Sequence, residues 1–167
     1  MNWYVIQVLT GKEEDIMNQI RSKGIKAIVP TRIMKERKNG IWHSKKRVLM
    51  QGYVFLYTDM KDTATYYLVK GVPGIIKILG DENGPVFIRE EQTTLLLRLT
   101  QDGDPLGLSE IFIEGGKITV KSGPLLGLEG RIVKLDARRM RAKVNIELMG
   151  EPRVVELAVN VIEKSEG

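Results

Sequence analysis

The strongest constraint on the fold of this chain is a strand, turn and strand pattern in its C-terminal third. Two segments of alternating apolar and polar residues, Lys117–Lys121 and Leu128–Lys134, flank a corner at Gly123-Pro124. This is the pattern of two half-buried strands joined by a turn. Gly123, Gly127 and Gly130 allow positive φ angles or the close approach of another backbone, as the corners of a small, strongly bent barrel require.

The rest of the C-terminal sequence carries strand signals and extends this pattern. Turn residues separate five predicted strands, at Lys117–Lys121, Leu128–Asp136, Arg141–Met149, Arg153–Leu157 and Val161–Ile162. A segment of about fifty residues is near the lower limit for folding unaided, and closure of the sheet helps because it removes exposed edges. We therefore predict a five-stranded β-barrel over residues 117–167.

Residues 1–100 carry signals for both strands and helices. Strands are predicted at Trp3–Leu9, Ala27–Lys35, Ile41–Leu49, Gly52–Thr58 and Gly74–Leu79, and helices at Lys12–Lys23, Thr63–Lys70 and Arg89–Thr100. Asn39-Gly40 between two of the strands is a strong signal for a tight hairpin. This order of elements predicts an α+β fold, in which an antiparallel sheet is flanked by helices.

The two regions are joined by a segment of different composition. Residues 101–116 contain glycine, proline and four acidic residues but no basic residue, which predicts a linker or a domain edge. Its apolar part, Ile111–Ile113, is expected to dock on a domain.

The composition excludes several classes of protein. The chain has no cysteine and a single histidine, His43, so disulfides, zinc fingers and thiol catalysis are excluded. No phosphate-cradling Gly-Lys-Thr loop or carboxylate and histidine cluster is present, which predicts a binding protein without catalytic residues, metal or cofactor.

The net charge of +5 and the sequence pI of 9.4 favour an anionic partner such as nucleic acid. With no membrane span or signal core in the sequence, we expect a cytoplasmic monomer.

The order of short motifs along the chain resembles that of the NusG family of transcription elongation factors. Trp3–Ile6, Val29–Thr31, Gly52–Val54 and Leu68–Gly74 are similar to motifs of the family's N-terminal NGN domain. Lys117–Val133 resembles the KOW motif of its C-terminal domain. The resemblance implies an NGN domain at 1–100, a linker at 101–116 and a KOW domain at 117–167.

The resemblance also implies a binding site for RNA polymerase. In the family, an apolar depression of the NGN domain binds the clamp helices of the largest polymerase subunits. The matching positions are large apolar or amphipathic residues and one glycine, namely Trp3, Tyr4, Met50, Gly52, Tyr53 and Phe55. Such side chains anchor interfaces. Because Val54 and Leu56 alternate with Tyr53 and Phe55, one of the two pairs must face the core, and several members of the set have core packing as an alternative role.

Basic residues are concentrated around a predicted turn of the barrel. The candidate RNA-binding set is Lys121, Arg131, Lys134, Arg138, Arg139, Arg141 and Lys143. Guanidinium groups bind phosphates bidentately and stack on bases, so an arginine-dense hairpin predicts recognition of an RNA hairpin in a nascent leader. The alternative is a solvated turn on a basic protein.

A second basic cluster surrounds the Asn39-Gly40 turn and is opposed by Glu36 alone. Its members are Arg32, Lys35, Arg37, Lys38, Lys45, Lys46 and Arg47. The resemblance implies that this arm faces upstream DNA or the non-template strand. Trp42 and His43 near the tip are candidates for base stacking, although a hairpin tip also tolerates such residues without a role.

The arginine-rich KOW hairpin favours a specialised paralog in processive antitermination, resembling LoaP, and two departures from the family pattern weaken a housekeeping role. Gly71-Val72 replaces the polar pair expected before Pro73, and Leu148–Gly150 replaces an Ile-Phe-Gly loop whose aromatic docks on Rho or a ribosomal protein in housekeeping members. Coupling to Rho or the ribosome is therefore not expected. Met50-Gln51 replaces a Phe-Pro pair, which is expected to reshape the clamp contact while keeping it. The alternatives are a housekeeping elongation, pausing and termination factor, and a ribosome-associated KOW protein that binds RNA.

Overall fold

The structure is a computed structural model that describes residues 1–92, 97–98 and 106–163. By their contacts the residues divide into two compact units, Met1–Val29 with Met50–Leu95 and Pro30–Leu49 with Leu96–Gly167. The fold is α+β, which confirms the predicted class. No helix in the described ranges combines the length and apolar character needed to cross a membrane.

The first unit is built on a four-stranded antiparallel sheet. Its strands are β1 (Asn2–Val8), β2 (Lys26–Ile28), β5 (Tyr53–Thr58) and β6 (Ile75–Ile78), in the order β2-β5-β1-β6. The two central strands are the most apolar, and Val5, Ile6, Val54 and Leu56 have no exposed surface. A short pair, β7 (Gly80–Asp81) and β8 (Gly84–Pro85), follows the sheet.

Two helices of the first unit match the sequence pattern closely. Helix α1 (Glu13–Ser22) buries Ile16 and Ile20, and helix α2 (Thr63–Lys70) buries Val69. Half of the predicted helix at Arg89–Thr100 lies outside the described residues, and of the described half, residues 90–92 and 97–98 are helical.

A long hairpin connects β3 (Thr31–Lys38) to β4 (Ile41–Val48). Its turn has positive φ at both Asn39 and Gly40, 53° and 76°, as a two-residue hairpin turn requires. The sequence analysis placed this hairpin in the first domain, but its contacts assign it to the second unit. The reason is a backbone ladder in which Leu106 donates to the Thr31 carbonyl and accepts from the Ile33 amide, both at 2.8 Å.

The second unit also contains a five-stranded sheet. Its strands are β9 (Ser109–Glu114), β10 (Lys117–Ser122), β11 (Ile132–Asp136), β12 (Arg141–Leu148) and β13 (Glu151–Glu163), in the order β10-β9-β13-β12-β11. A 3-10 turn at Glu129–Arg131 precedes β11. Strand β13 pairs antiparallel with β12 and parallel with β9.

Two strand assignments differ from the prediction. The predicted linker at 101–116 contains β9, whose acidic residues made it look like a linker although Ile111 is fully buried. The predicted strands Arg153–Leu157 and Val161–Ile162 form one strand, because the exposed Asn160 continues the ladder instead of ending it. The count of five strands is therefore correct, but its members are not those predicted.

The three glycines of the barrel motif have different roles. Gly123 has φ of 96°, and a Cβ there would lie 2.6 Å from both the Leu108 carbonyl oxygen and the Ser109 Cα. Gly127 has φ of 77°, but a Cβ there would point into open space. Gly130 has no positive φ, and a Cβ added there would meet no described atom outside its chain neighbours within 4 Å. Close approach and positive φ thus coincide at Gly123.

Candidate protein and nucleic-acid interfaces

The register of β1 and β5 divides the first candidate set between the two faces of the sheet. Trp3 lies opposite Tyr57, and Gln7 lies opposite Tyr53. Directly opposed residues share a face, so Trp3, Tyr53, Phe55 and Tyr57 lie on one face and Tyr4 lies on the other.

Burial separates these residues further. Phe55 has no exposed surface, and Trp3, Tyr4 and Met50 are 7%, 2% and 5% exposed. Tyr53 is half-buried and keeps accessible surface. The burial of Phe55 fits the core alternative left open by the sequence analysis, whereas Tyr53 and Tyr57 on the same face of β5 keep accessible surface.

Tyr4 is held on the opposite face by aromatic packing. Its ring meets Phe87 edge to face, with centroids 6.3 Å apart. Burial raises the pKa of its phenol, although a backbone hydrogen bond with Met60 acts in the opposite direction. Tyr4 therefore contributes to packing in this structure.

The accessible part of the Tyr53 face includes residues that the sequence analysis missed. Tyr57 is half-buried, and its ring centroid lies 5.3 Å from that of Trp3. The ammonium of the exposed Lys26 lies 5.6 Å from the Trp3 centroid and 6.0 Å from the Tyr57 centroid, within cation–π range. The sequence contained a signal for Tyr57, because it follows Tyr53 by four residues and an even spacing puts both side chains on the same face of a strand.

A buried carboxylate fixes the turn that precedes Tyr53. Glu13 is 4% exposed, and its Oε1 accepts hydrogen bonds from the amides of Gly11 at 2.9 Å and Gly52 at 3.1 Å. The Gly52 carbonyl accepts in turn from the Val8 amide at 2.8 Å. The turn at Gly52, where φ is 85°, is thus held to both β1 and α1.

The barrel carries the second candidate set mainly on the β11–β12 hairpin. Lys134 lies opposite Lys143 in the ladder, and both side chains are exposed. Arg138 and Arg139 lie exposed on the turn, where the Asp136 carboxylate accepts from the Arg139 amide at 3.0 Å. Like charges directly opposed across a ladder are unfavourable by themselves, so this arrangement suits an anionic partner.

The other members of that set lie in different surroundings. Arg141 is half-buried, and its Nη1 donates to Glu156 Oε2 at 3.1 Å. Arg131 is exposed on the 3-10 turn. Lys121 is on β10 at the opposite edge of the sheet, with its ammonium 5.5 Å from the Phe112 ring centroid. Strand β10 meets the 3-10 turn that carries Arg131, where the Val120 amide donates to Glu129 at 3.1 Å.

The β3–β4 hairpin divides the third candidate set between its two faces. One face, here called the outward face, carries Lys35, Arg37, Trp42, Ser44 and Lys46. The other, here called the inner face, carries Arg32, Met34, Glu36, Lys38, Ile41, His43, Lys45 and Arg47. Register therefore separates cations that the sequence analysis had treated as one cluster.

The two faces differ in how their cations are paired. On the inner face, Arg47 donates to Glu36 at 3.1 Å, and Lys45 lies 3.7 Å from the same carboxylate. The hydrogen bond from Arg47 lowers the pKa of Glu36. On the outward face, the Lys35 ammonium donates to Ser44 Oγ at 2.7 Å, and the Arg37 guanidinium lies 6.0 Å from the Trp42 centroid. Trp42 is 40% exposed, so a base that stacked on it would share the ring with Arg37.

Together these features define a class of protein. The chain is a two-unit α+β protein, in which one unit is built on a four-stranded antiparallel sheet and the other contains a five-stranded sheet with a basic hairpin. The family model described as transcription termination factor nusG matches residues 1–97. The chain belongs to the NusG family.

Known relatives agree with this assignment along the chain. The transcription termination/antitermination protein NusG of Haemophilus influenzae is 29% identical over 97% of this chain and 93% of its own. The protein of the same name from Escherichia coli K12 is 28% identical over 98% and 96%. A solved structure of Thermotoga maritima NusG covers 94% of this chain and 93% of its own, with a TM-score of 0.60 and 24% identity, and supports the fold. The protein is thus a NusG-type transcription factor and not an enzyme, as the sequence analysis predicted.

Proposed function

We propose that the protein is a specialised NusG-type factor that promotes processive antitermination as a cytoplasmic monomer. Its NGN domain, residues 1–100, binds the clamp helices of RNA polymerase, and its KOW domain, residues 117–167, binds a hairpin in nascent leader RNA. The observation that carries this proposal is the β11–β12 hairpin, which presents two opposed lysines and two arginines at its turn.

The polymerase contact is centred on Tyr53. This residue keeps accessible surface next to Gln7 and on the same face as Tyr57 and Trp3, which Lys26 caps. Tyrosines of this kind provide large, rigid contact area with a polar end. The fixed turn at Gly52 presents Tyr53 without the entropy cost of ordering a loop.

Tyr53→Ala is expected to weaken binding to RNA polymerase elongation complexes by about 30-fold, the effect of losing about 2 kcal/mol at an interface hot spot. The measurement is the affinity of the full chain for purified complexes. Tyr53→Phe is the matched control, because it keeps the ring and is expected to bind almost normally. Normal binding of a folded Tyr53→Ala variant would remove Tyr53 from the interface.

The RNA contact depends on backbone phosphates, so its signature is salt dependence. Four phosphate contacts by the hairpin predict a log–log slope of about −3, at roughly −0.7 to −0.9 per contact. Arg138→Ala combined with Arg139→Ala is expected to reduce the magnitude of this slope by about 1.5. The readout is binding of the full chain to leader RNA hairpins over a salt series.

A double variant with the same change in charge provides the control. Lys12→Ala with Lys23→Ala alters two exposed lysines at the ends of α1, in the first unit, and is expected to leave the slope nearly unchanged. An equal loss in both double variants would mean that RNA responds to net charge and not to the hairpin.

The outward face of the β3–β4 hairpin is proposed to lie toward upstream DNA or the non-template strand. Lys35, Arg37 and Lys46 share this face with Trp42, a combination of cations and an aromatic ring that suits a nucleic-acid backbone with an unpaired base. On the inner face, Arg47 and Lys45 contact Glu36, and Arg32 donates to the Glu156 backbone carbonyl, so these three cations are not part of this contact.

The housekeeping role is the alternative within the same family, whose relatives are named for both termination and antitermination. Against it, the position of the aromatic in the housekeeping loop is taken by Met149, which has φ of 54°, beside Leu148, which is 5% exposed. This turn offers no aromatic side chain of its own for Rho or a ribosomal protein. A role as a ribosome-associated KOW protein is disfavoured because the matched family model covers residues 1–97.

A further inference from the structure

A cluster of opposite charges lies where the β3–β4 hairpin meets the barrel strands in the second unit. Arg32 of β3 and Arg47 of β4 are directly opposed, and Arg141 comes from β12. The carboxylates are Glu36 of β3 and Glu156 of β13. The sequence analysis had divided these arginines between an RNA-binding set and a DNA-facing set, but the structure brings them together.

The contacts join these residues into one network. Arg141 Nη1 donates to Glu156 Oε2 at 3.1 Å, and Arg32 Nη1 donates to the Glu156 backbone carbonyl. Arg47 Nη2 donates to Glu36 Oε1 at 3.1 Å. Burial lowers the pKa of Arg32; the Glu156 carboxylate acts in the opposite direction, and the positive charges of Arg141 and Arg47 add to the lowering. Arg32 and Arg47 are opposed in the ladder, so like charges are placed together across this hairpin.

The anions present do not satisfy these cations. Counted over the residues of this cluster, four cations, Arg32, Arg47, Arg141 and Lys45, meet two carboxylates. The Nε groups of Arg32 and Arg141 are buried and, within the described residues, have no hydrogen-bond acceptor. A partly buried guanidinium with an unused donor is unfavourable, so the cluster is suited to an additional anion with several oxygens.

A backbone phosphate matches these requirements. Pairs of its oxygens accept hydrogen bonds from the forked guanidinium groups. One further carboxylate has fewer oxygens and would satisfy fewer of these donors. The cluster is open to solvent, because the side chains of Arg47 and Arg141 are 50% and 31% exposed. It also adjoins the β11–β12 hairpin, since Arg141 lies opposite Asp136 at the base of the turn that carries Arg138.

We propose that this cluster binds a backbone phosphate of the RNA held by the barrel, so that the β3–β4 hairpin and the barrel hold one RNA together. The inference rests on the proposed RNA-binding function and extends it to residues outside the KOW domain. In this arrangement the inner face of the hairpin contacts RNA and the outward face contacts DNA.

Arg47→Gln in the full chain is the main test, because this half-exposed side chain can be changed with little effect on the fold. The probe is a stem–loop RNA of arbitrary sequence, since phosphate contacts do not depend on base identity. Binding over a salt series is expected to show a log–log slope smaller by about 1 in magnitude. Lys61→Gln makes the same change in charge at an exposed position of the first unit and is expected to leave the slope unchanged.

A second variant should act in the opposite direction. Glu156→Gln removes the carboxylate that competes for Arg141 but retains the backbone carbonyl that binds Arg32. RNA affinity is expected to rise and the salt slope to become steeper. A fall in affinity for a folded Glu156→Gln protein would contradict the proposal.

A titration with inorganic phosphate tests the site directly. The Nε–Hε resonances of Arg32 and Arg141 in the ¹⁵N-labelled full chain are expected to shift together with phosphate, and the resonance of Arg21, whose Nε donates to the Ala27 carbonyl, to shift much less. Equal shifts at all three would indicate general screening and would overturn the proposal.

The outcomes separate this inference from the proposed function. If the Arg138 and Arg139 double variant loses RNA binding while Arg47→Gln has no effect on the slope, RNA recognition stands and the shared site is wrong. If neither variant affects RNA binding, RNA recognition by the barrel itself is wrong. A loss for Arg47→Gln with duplex DNA but not with RNA would also overturn the shared site.

Discussion

Gly123→Ala is expected to destabilise the barrel by about 2–5 kcal/mol, more than a change at any other glycine of its motif. About 1–2 kcal/mol comes from the left-handed backbone, since φ is 96°. A further 1–3 kcal/mol or so comes from overpacking, because the new Cβ would lie 2.6 Å from the Leu108 carbonyl oxygen and Ser109 Cα. These are backbone atoms at the start of β9, so the strand itself must move.

The measurement is hydrogen exchange of the full chain, which reports the barrel separately from the first unit. Exchange at amides in β9 and β10, such as Ile111 and Val120, should accelerate in Gly123→Ala. Gly127→Ala should cost about 1–2 kcal/mol, since only its positive φ is unfavourable. Gly130→Ala should be neutral or stabilise by up to about 1 kcal/mol. If amides exchanged equally fast in the Gly123 and Gly127 variants, the contact of the new Cβ at position 123 with Leu108 and Ser109 would add nothing to the destabilisation.

Glu13→Ala is expected to destabilise the first unit by about 2–4 kcal/mol, because it removes a buried charged acceptor from the amides of Gly11 and Gly52. The Gly52 amide is buried, so water cannot replace the carboxylate without structural change. We expect amides around β1 and the Gly52 turn to exchange faster. The affinity for RNA polymerase should also fall, since Tyr53 follows this turn.

The neighbouring acid provides a matched control. Asp15 is exposed in the same first helical turn, so Asp15→Ala loses the interaction with the helix dipole alone, about 0.3–1 kcal/mol. Glu13→Gln retains a carbonyl acceptor for one amide, so the stability of this variant should lie between the stabilities of the two alanine variants. If the Glu13 and Asp15 alanine variants were equally stable, Glu13 would act through the dipole and not through the turn.

Much of the fold could be predicted because local chemistry specifies it. The bounds of α2 agree with the prediction at both ends, and α1 differs by one residue at each end, because apolar residues at helical spacing are a strong local signal. The Asn39-Gly40 turn was also correct, since both positions need positive φ and these residues tolerate it. Features set by neighbouring residues in the sequence were therefore accessible.

Features set by distant pairing were not accessible in the same way. The hydrogen bond that Glu13 accepts from the Gly52 amide joins residues 39 positions apart, and nothing in the sequence around Glu13 indicates it. The cations of the β3–β4 hairpin were grouped by sequence, whereas register separates them into two faces. Phe55 matched a contact position of the family with core packing as the alternative, and the sequence could not decide between them because burial depends on what packs against that face of the sheet.

The parallel pairing of β9 with the end of β13 has a consequence for how the barrel folds. Ser109 pairs with Val159 and Glu163 with Ile113, so this ladder closes a loop of about fifty residues and gives the barrel a high contact order. A ribosome synthesises β13 after every other strand of the sheet. Before its distal half is available, β9 can pair with β10 alone, and the nascent barrel exposes a strand edge. The barrel is thus expected to close late, in one step governed by its last strand.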